Sequence, residues 1–84
     1  MKKETLDKLD INERARVRGV ELCSPMYRRL LDLGFVRGSL VECVGKSPSG
    51  DPSAYLVRGA VIALRSEDAR GIGVSFDEDL GVED

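Results

Sequence analysis

Histidine and tryptophan are absent from this chain of 84 residues, and its aromatic residues are two tyrosines and two phenylalanines. Without histidine the chain lacks the commonest general base and the commonest transition-metal ligand. So few aromatics cannot form a platform for stacked bases, and with a pI of about 5.1 they argue against a nucleic-acid partner. The only cysteines, Cys23 and Cys43, form no CxxC pair. Both read as free, buried apolar thiols, in preference to a disulfide or a two-cysteine metal site. No apolar run approaches the ~20 residues of a membrane span. The opening MKKETLDKLD has lysines but no apolar segment behind them, so no secretory signal is expected. A cytoplasmic protein that does not itself span a membrane is the expectation.

What is present fits one small globular domain, which buries only about 60% of the surface its unfolded chain exposes. The net charge of −2 conceals an asymmetry. The segment DEDLGVED, residues 77–84, holds five of the fifteen acids and no base. Residues 1–76 keep thirteen bases against ten acids, a balance of +3. The expected division is therefore a mildly basic domain over 1–76 and an acidic, solvated and disordered tail over 77–84.

RRLLDLGFVRGSLV, residues 28–41, changes from helical to extended character around two glycines. Ser24 and Pro25 supply a helix start, with a hydroxyl for free amides and a proline for the first helical position. Met26, Leu30 and Leu33 form an apolar stripe that Tyr27 and Leu31 widen, leaving Arg28, Arg29 and Asp32 outside. So short a helix is not stable alone in water and must dock its apolar side. Gly34 falls just past the last turn, where a left-handed backbone ends helices, and Phe35 falls where such an ending folds an apolar side chain back onto Leu30. Gly38 supplies a positive φ at the third position of a turn through VRGS.

The remainder reads as short strands. Residues 15–21 alternate at first, with Ala15 and Val17 inward and Arg14, Arg16 and Arg18 outward, and Gly19 marks a bulge. A second strand covers 39–46, and SPSGDPS, 47–53, is a loop by composition. AYLVRG and AVIALR are a third and fourth strand joined by a tight turn near Arg58, Gly59 and Ala60. Ser66 caps one helical turn that Gly71 ends. IGVSF closes the set, with Ile72, Val74 and Phe76 inward and Gly73 and Ser75 outward. The pattern predicts a mainly β fold: a small five-stranded, partly open barrel with one inserted α-helix and a short second helical turn.

No catalytic constellation emerges, and an enzyme is not expected. GKS at 45–47 imitates the end of a phosphate loop, but Leu40 stands where its first glycine belongs and no helix follows. No acidic cluster has calcium-loop spacing, so neither a metal site nor a cofactor site is assigned. The outward arginines 14, 16 and 18, about 7 Å apart along a strand, form a solvated face that resists edge pairing, or else meet an anionic partner.

These motifs carry a resemblance. Residues 28–74 resemble the FeoA family of bacterial ferrous-iron transport, through the helix ending LLDLGF, the turn glycine before a valine-rich strand, the PSGDP loop, YLVRG and IALRSEDARGIGV. TLDKLDINERARVRGVE fits the family's opening as well. Arg37 departs from a pattern that often has proline there, which leaves the turn less rigid in the unfolded chain. The resemblance implies an SH3-like barrel and transition metal ion binding as a property of the family, without assigning ligands in this chain. It also implies a non-enzymatic accessory that meets the cytosolic region of a FeoB-type membrane GTPase, as a monomer or weak dimer. The same barrel resembles the C-terminal domain of metal-dependent transcriptional repressors, the alternative reading, although 84 residues leave no room for a helix-turn-helix. For docking, a groove is expected between the loop 47–53, with Asp51, and the helix 25–33. Tyr55 would lie near its base and Arg28, Arg29 and Arg37 at its rim, while Leu30, Gly34, Phe35 and Gly38 hold the structure.

Overall fold

Alternation of apolar and polar residues makes a strand one-sided, and in β2 (Arg14–Val20) Ala15 and Val17 are buried while Arg14, Arg16 and Arg18 are exposed. The computed structural model describes residues 3–76, and the expected tail at 77–84 lies outside them. The remaining strands are β1 (Lys3–Thr5), β3 (Leu40–Lys46), β4 (Ser53–Val57), β5 (Ala60–Leu64) and β6 (Ile72–Phe76). They form one antiparallel sheet in the order β1-β6-β2-β3-β4-β5, so β1 and β5 are its edges. The helices are α1 (Tyr27–Leu33) and a single turn, α2 (Ser66–Ala69).

The sheet has six strands rather than the five expected. KET at 3–5 has no apolar alternation, and it becomes a strand only by pairing with β6, Glu4 opposite Val74. A 3₁₀ turn at Leu6–Lys8 follows, and Leu6 and Leu9 are fully buried. With β1 on one side and β2 on the other, β6 is interior to the sheet, and Ser75, expected outward, is buried.

Two bulges curve the sheet. One lies between Val17 and Gly19, as the glycine suggests. The other lies between Cys43 and Gly45, again beside a glycine, and Val44, outward by the alternation of β3, is exposed. Arg58 and Gly59, both with positive φ, form the two-residue turn between β4 and β5. The core gathers residues from every part of the chain, including Leu6, Leu9, Val17, Leu30, Phe35, Val41, Tyr55, Ile72 and Val74.

The helix ending is the one expected. Gly34 has φ 116°, its amide donates to the Leu31 carbonyl, and the Phe35 amide reaches back to the Leu30 carbonyl at 3.0 Å. Leu30 and Phe35 are both fully buried. In the following turn the Ser39 amide donates to the Val36 carbonyl at 2.9 Å, with Gly38 at φ 91°.

The helix starts are corrected. Regular helix begins at Tyr27, two residues later than expected. The Ser24 hydroxyl accepts the Met26 amide at 3.2 Å and so closes a turn that precedes the helix. Ser66 is the first residue of α2 and not its cap. Its amide and hydroxyl both donate to the Asp51 carboxylate, at 2.9 and 3.1 Å, which makes Asp51 a cap supplied from a distant loop.

Candidate functional site

The residues expected to form a docking groove separate into two groups. Arg28, Arg29 and Arg37 are exposed and available to a partner. Tyr55 is only 1% exposed and belongs to the core, with its hydroxyl toward the Leu6 carbonyl at 3.5 Å. Burial pushes its phenol pKa up from 10.0. Tyr55 is therefore not the accessible base of a groove. Asp51 is on the surface, but its carboxylate is engaged by Ser66.

The expected groove walls also meet opposite ends of β4. The helix end sits against the β4–β5 turn, where a Cβ placed on Gly34 would lie 2.6 Å from Arg58 Cδ and 3.6 Å from Val57 Cγ2. The loop 47–52 joins β4 at Ser53, and Asp51 ties it to α2. These contacts do not bring loop and helix end together as facing walls, because each belongs to a different end of the strand.

A hollow of about 490 Å³ lies elsewhere, beside the ends of β1 and β2 and the start of β6. Its walls are Glu4, Thr5, Arg18, Glu21 and Arg70, and its floor includes the cross-strand pair Gly19 and Gly73. Sequence reading missed it because the bulge and the β1–β6 pairing create it. Two guanidiniums and two carboxylates balance in charge, and the Arg18 side chain already lies across Gly73, its Nη1 3.5 Å from where a Cβ would stand. Nothing in this arrangement is a nucleophile with a base or a converging set of metal ligands. No group of three or more cysteine, aspartate or glutamate side chains converges for a metal among the described residues.

Cys23 corrects another expectation. It is exposed in the segment between β2 and α1, with its thiol 3.9 Å from Glu21 Oε1, whereas Cys43 is buried. The difference follows from position: Cys43 alternates inward on β3, and Cys23 lies in turns that have no buried side.

The chain's similarity to known proteins is extensive. The FeoA domain family matches residues 4–75. A Porphyromonas gingivalis relative, an Fe(2+) transport protein A/Fe(2+) transporter FeoB fusion protein, is 32% identical over 71 residues. That match covers 84% of this chain but only 8% of the relative. Among solved structures, a FeoA-like protein from Clostridium acetobutylicum superposes with a TM-score of 0.84 at 34% identity, covering 92% of this chain and 90% of the other. The zinc-complexed FeoA of Stenotrophomonas maltophilia, described as an SH3 domain protein, superposes with a TM-score of 0.74 at 34% identity, covering 89% and 91%. A manganese-dependent transcriptional repressor shares the fold, with a TM-score of 0.79 at 18% identity over 90% of this chain and 37% of the repressor. No described helix is long and apolar enough to cross a membrane.

Proposed function

This chain belongs to the FeoA family, and from that premise we propose that it is a non-enzymatic accessory of bacterial ferrous-iron uptake. In this reading it works in the cytoplasm by docking on the cytosolic GTPase part of a FeoB-type membrane transporter. The observation that carries the reading is the Porphyromonas gingivalis relative, in which a transport protein A part and a FeoB transporter part share one polypeptide. Covalent joining keeps two domains at high effective concentration, an arrangement useful to domains that meet.

The surface adds physical support. Arg28 and Arg29 project from α1, and Arg37 projects from the turn that follows it, all three exposed. Exposed cations of this kind speed encounter with an acidic partner more than they tighten the complex. Docking also asks nothing of the buried side chains, which are apolar or hydrogen-bonded: among the described residues no buried side-chain nitrogen or oxygen lacks a partner.

The test is binding of the purified full chain to the isolated cytosolic GTPase region, followed by calorimetry or surface-based kinetics. A saturable complex that weakens as salt rises is expected. Absence of any complex at the highest soluble concentrations refutes the docking reading.

A further inference from the structure

The two edges of the sheet differ in chemistry. At one edge, β1 is only three residues long, and its sequence KET is charged. Short length and charge are the usual means by which edge strands avoid pairing with other chains. At the other edge, β5 has the sequence AVIAL, five residues with no charge and no proline. No backbone hydrogen bond among the described residues reaches β5 from outside its ladder with β4.

The face beside this edge carries an apolar diagonal, with one acid, Glu42, alongside it. The register sets Glu42 opposite Leu56 and Leu56 opposite Val61, so the three side chains share the outer face of β3, β4 and β5. Leu40, two residues before Glu42, points the same way. Val61 is 63% exposed and Leu40 37% exposed, and Leu56 between them is half-buried. The apolar stripe therefore runs up to the open edge and stops there.

The charges around β5 select what completes it. Exposed arginines bracket the strand, Arg58 before it and Arg65 after it, and residues 52–65 contain no acid at all. Asp51, the acid just before this stretch, is held by Ser66, Glu42 on the same face stands opposite Arg14 of β2, and the exposed Glu67 follows Arg65. A second copy of the chain paired antiparallel through β5 would set the Arg58 end of one strand against the Arg65 end of the other, and opposed like charges destabilise such a pair. An extended segment with an apolar middle and an acid at each end has the complementary pattern.

Resting on the docking reading above, we infer that the open edge of β5 takes such an acid-flanked, apolar segment of the partner as an added strand. Main-chain hydrogen bonds to β5 supply the attachment, Val61 extends the apolar stripe onto the added strand, and Arg58 and Arg65 set its register.

The test titrates the isotope-labelled full chain with a seven-residue probe peptide, Glu-Val-Thr-Val-Thr-Val-Glu, and follows backbone amide shifts. A control peptide carries lysine in place of both glutamates. Shifts confined to residues 60–64 and their β4 neighbours are expected, with the lysine peptide and the Val61→Glu variant each at least about tenfold weaker. Val61 is exposed, so this variant should keep the fold, which its own amide spectrum reports. Absence of binding, equal binding of both peptides, or shifts centred on α1 or the Gly19–Gly73 hollow overturns the inference. So does a concentration-dependent dimer of the chain that Val61→Glu abolishes. Equal binding of wild type and Val61→Glu to the GTPase region also overturns it while leaving the docking reading intact. Peptide binding without binding of the GTPase region refutes only the docking reading.

Discussion

The Asp51 carboxylate accepts both the amide and the hydroxyl of Ser66, at 2.9 and 3.1 Å, across fifteen positions of chain. One side chain thereby fastens the loop after β3 to the first residue of α2. Replacing a capping carboxylate costs ~0.5–2 kcal/mol in comparable settings. Asp51→Ala is expected to fall within that range in chemical denaturation, and Asp51→Asn, which keeps one acceptor oxygen, to lose less. An unchanged denaturation midpoint in Asp51→Ala would make the contact incidental.

Gly34 answers two constraints at once. Its φ of 116° is unfavourable for any residue with a Cβ, and a Cβ there meets Arg58 Cδ at 2.6 Å. The backbone part alone costs roughly 1–2 kcal/mol. Gly34→Ala is expected to destabilise by at least that much. Adding Arg58→Ala should recover the steric part and leave the backbone part. The double-mutant cycle separates the two, and full recovery would show that the left-handed backbone carries no cost here.

Tyr55 gives the fold a pH dependence of known sign. Burial raises its pKa above 10.0, so the folded state holds the phenolic proton more tightly than the unfolded state does. Its contribution is present below pH 10.0, where both states are protonated, and is lost as pH rises through the folded-state value. Tyr55→Phe should flatten the alkaline loss of stability. Near neutrality it should cost little, because the Leu6 carbonyl keeps a second donor, the Leu9 amide at 3.1 Å. Parallel alkaline profiles for wild type and variant would contradict this assignment.

Thiol titration should find one reactive group in the reduced native protein and two after unfolding. Cys23 is exposed and Cys43 is fully buried. Cys23→Ser should abolish the native signal. A native count of two would require β3 to open in the folded protein.

Charge reversal distinguishes the arginine surfaces. Arg28→Glu with Arg29→Glu is expected to slow association with the GTPase region and to reduce its salt dependence, with a smaller effect on dissociation. Arg14→Glu with Arg16→Glu is the comparison on the outer face of β2. If the strand pair abolishes binding and the helix pair does not, the arginine strand and not α1 steers the partner.

Much of this architecture was legible in local sequence, because its signals act over a few residues. Gly34 with Phe35 and Gly38 with Ser39 are backbone requirements, and they predict the helix ending and the turn wherever the chain goes next. Arg14, Ala15, Arg16 and Val17 announce a one-sided strand in the same way. The motifs around LLDLGF, PSGDP and IALRSEDARGIGV also carried the family.

Tertiary structure decided what depends on distant partners. KET is a strand only because β6 offers an edge, and Leu6 and Leu9 enter the core only because β1 is held there. Asp51 became a cap because α2 lies beside its loop, and Ser24 and Ser66, which carry the capping chemistry, did not become the caps expected. Tyr55 and Cys23 exchanged their expected environments for the same reason: burial is a property of what packs against a side chain. A docking surface is less legible still, since the stripe of Leu40, Leu56 and Val61 joins residues from three strands. Periodicity marks each as facing away from its buried neighbours, but only the register of β3, β4 and β5 makes them one face beside an open edge.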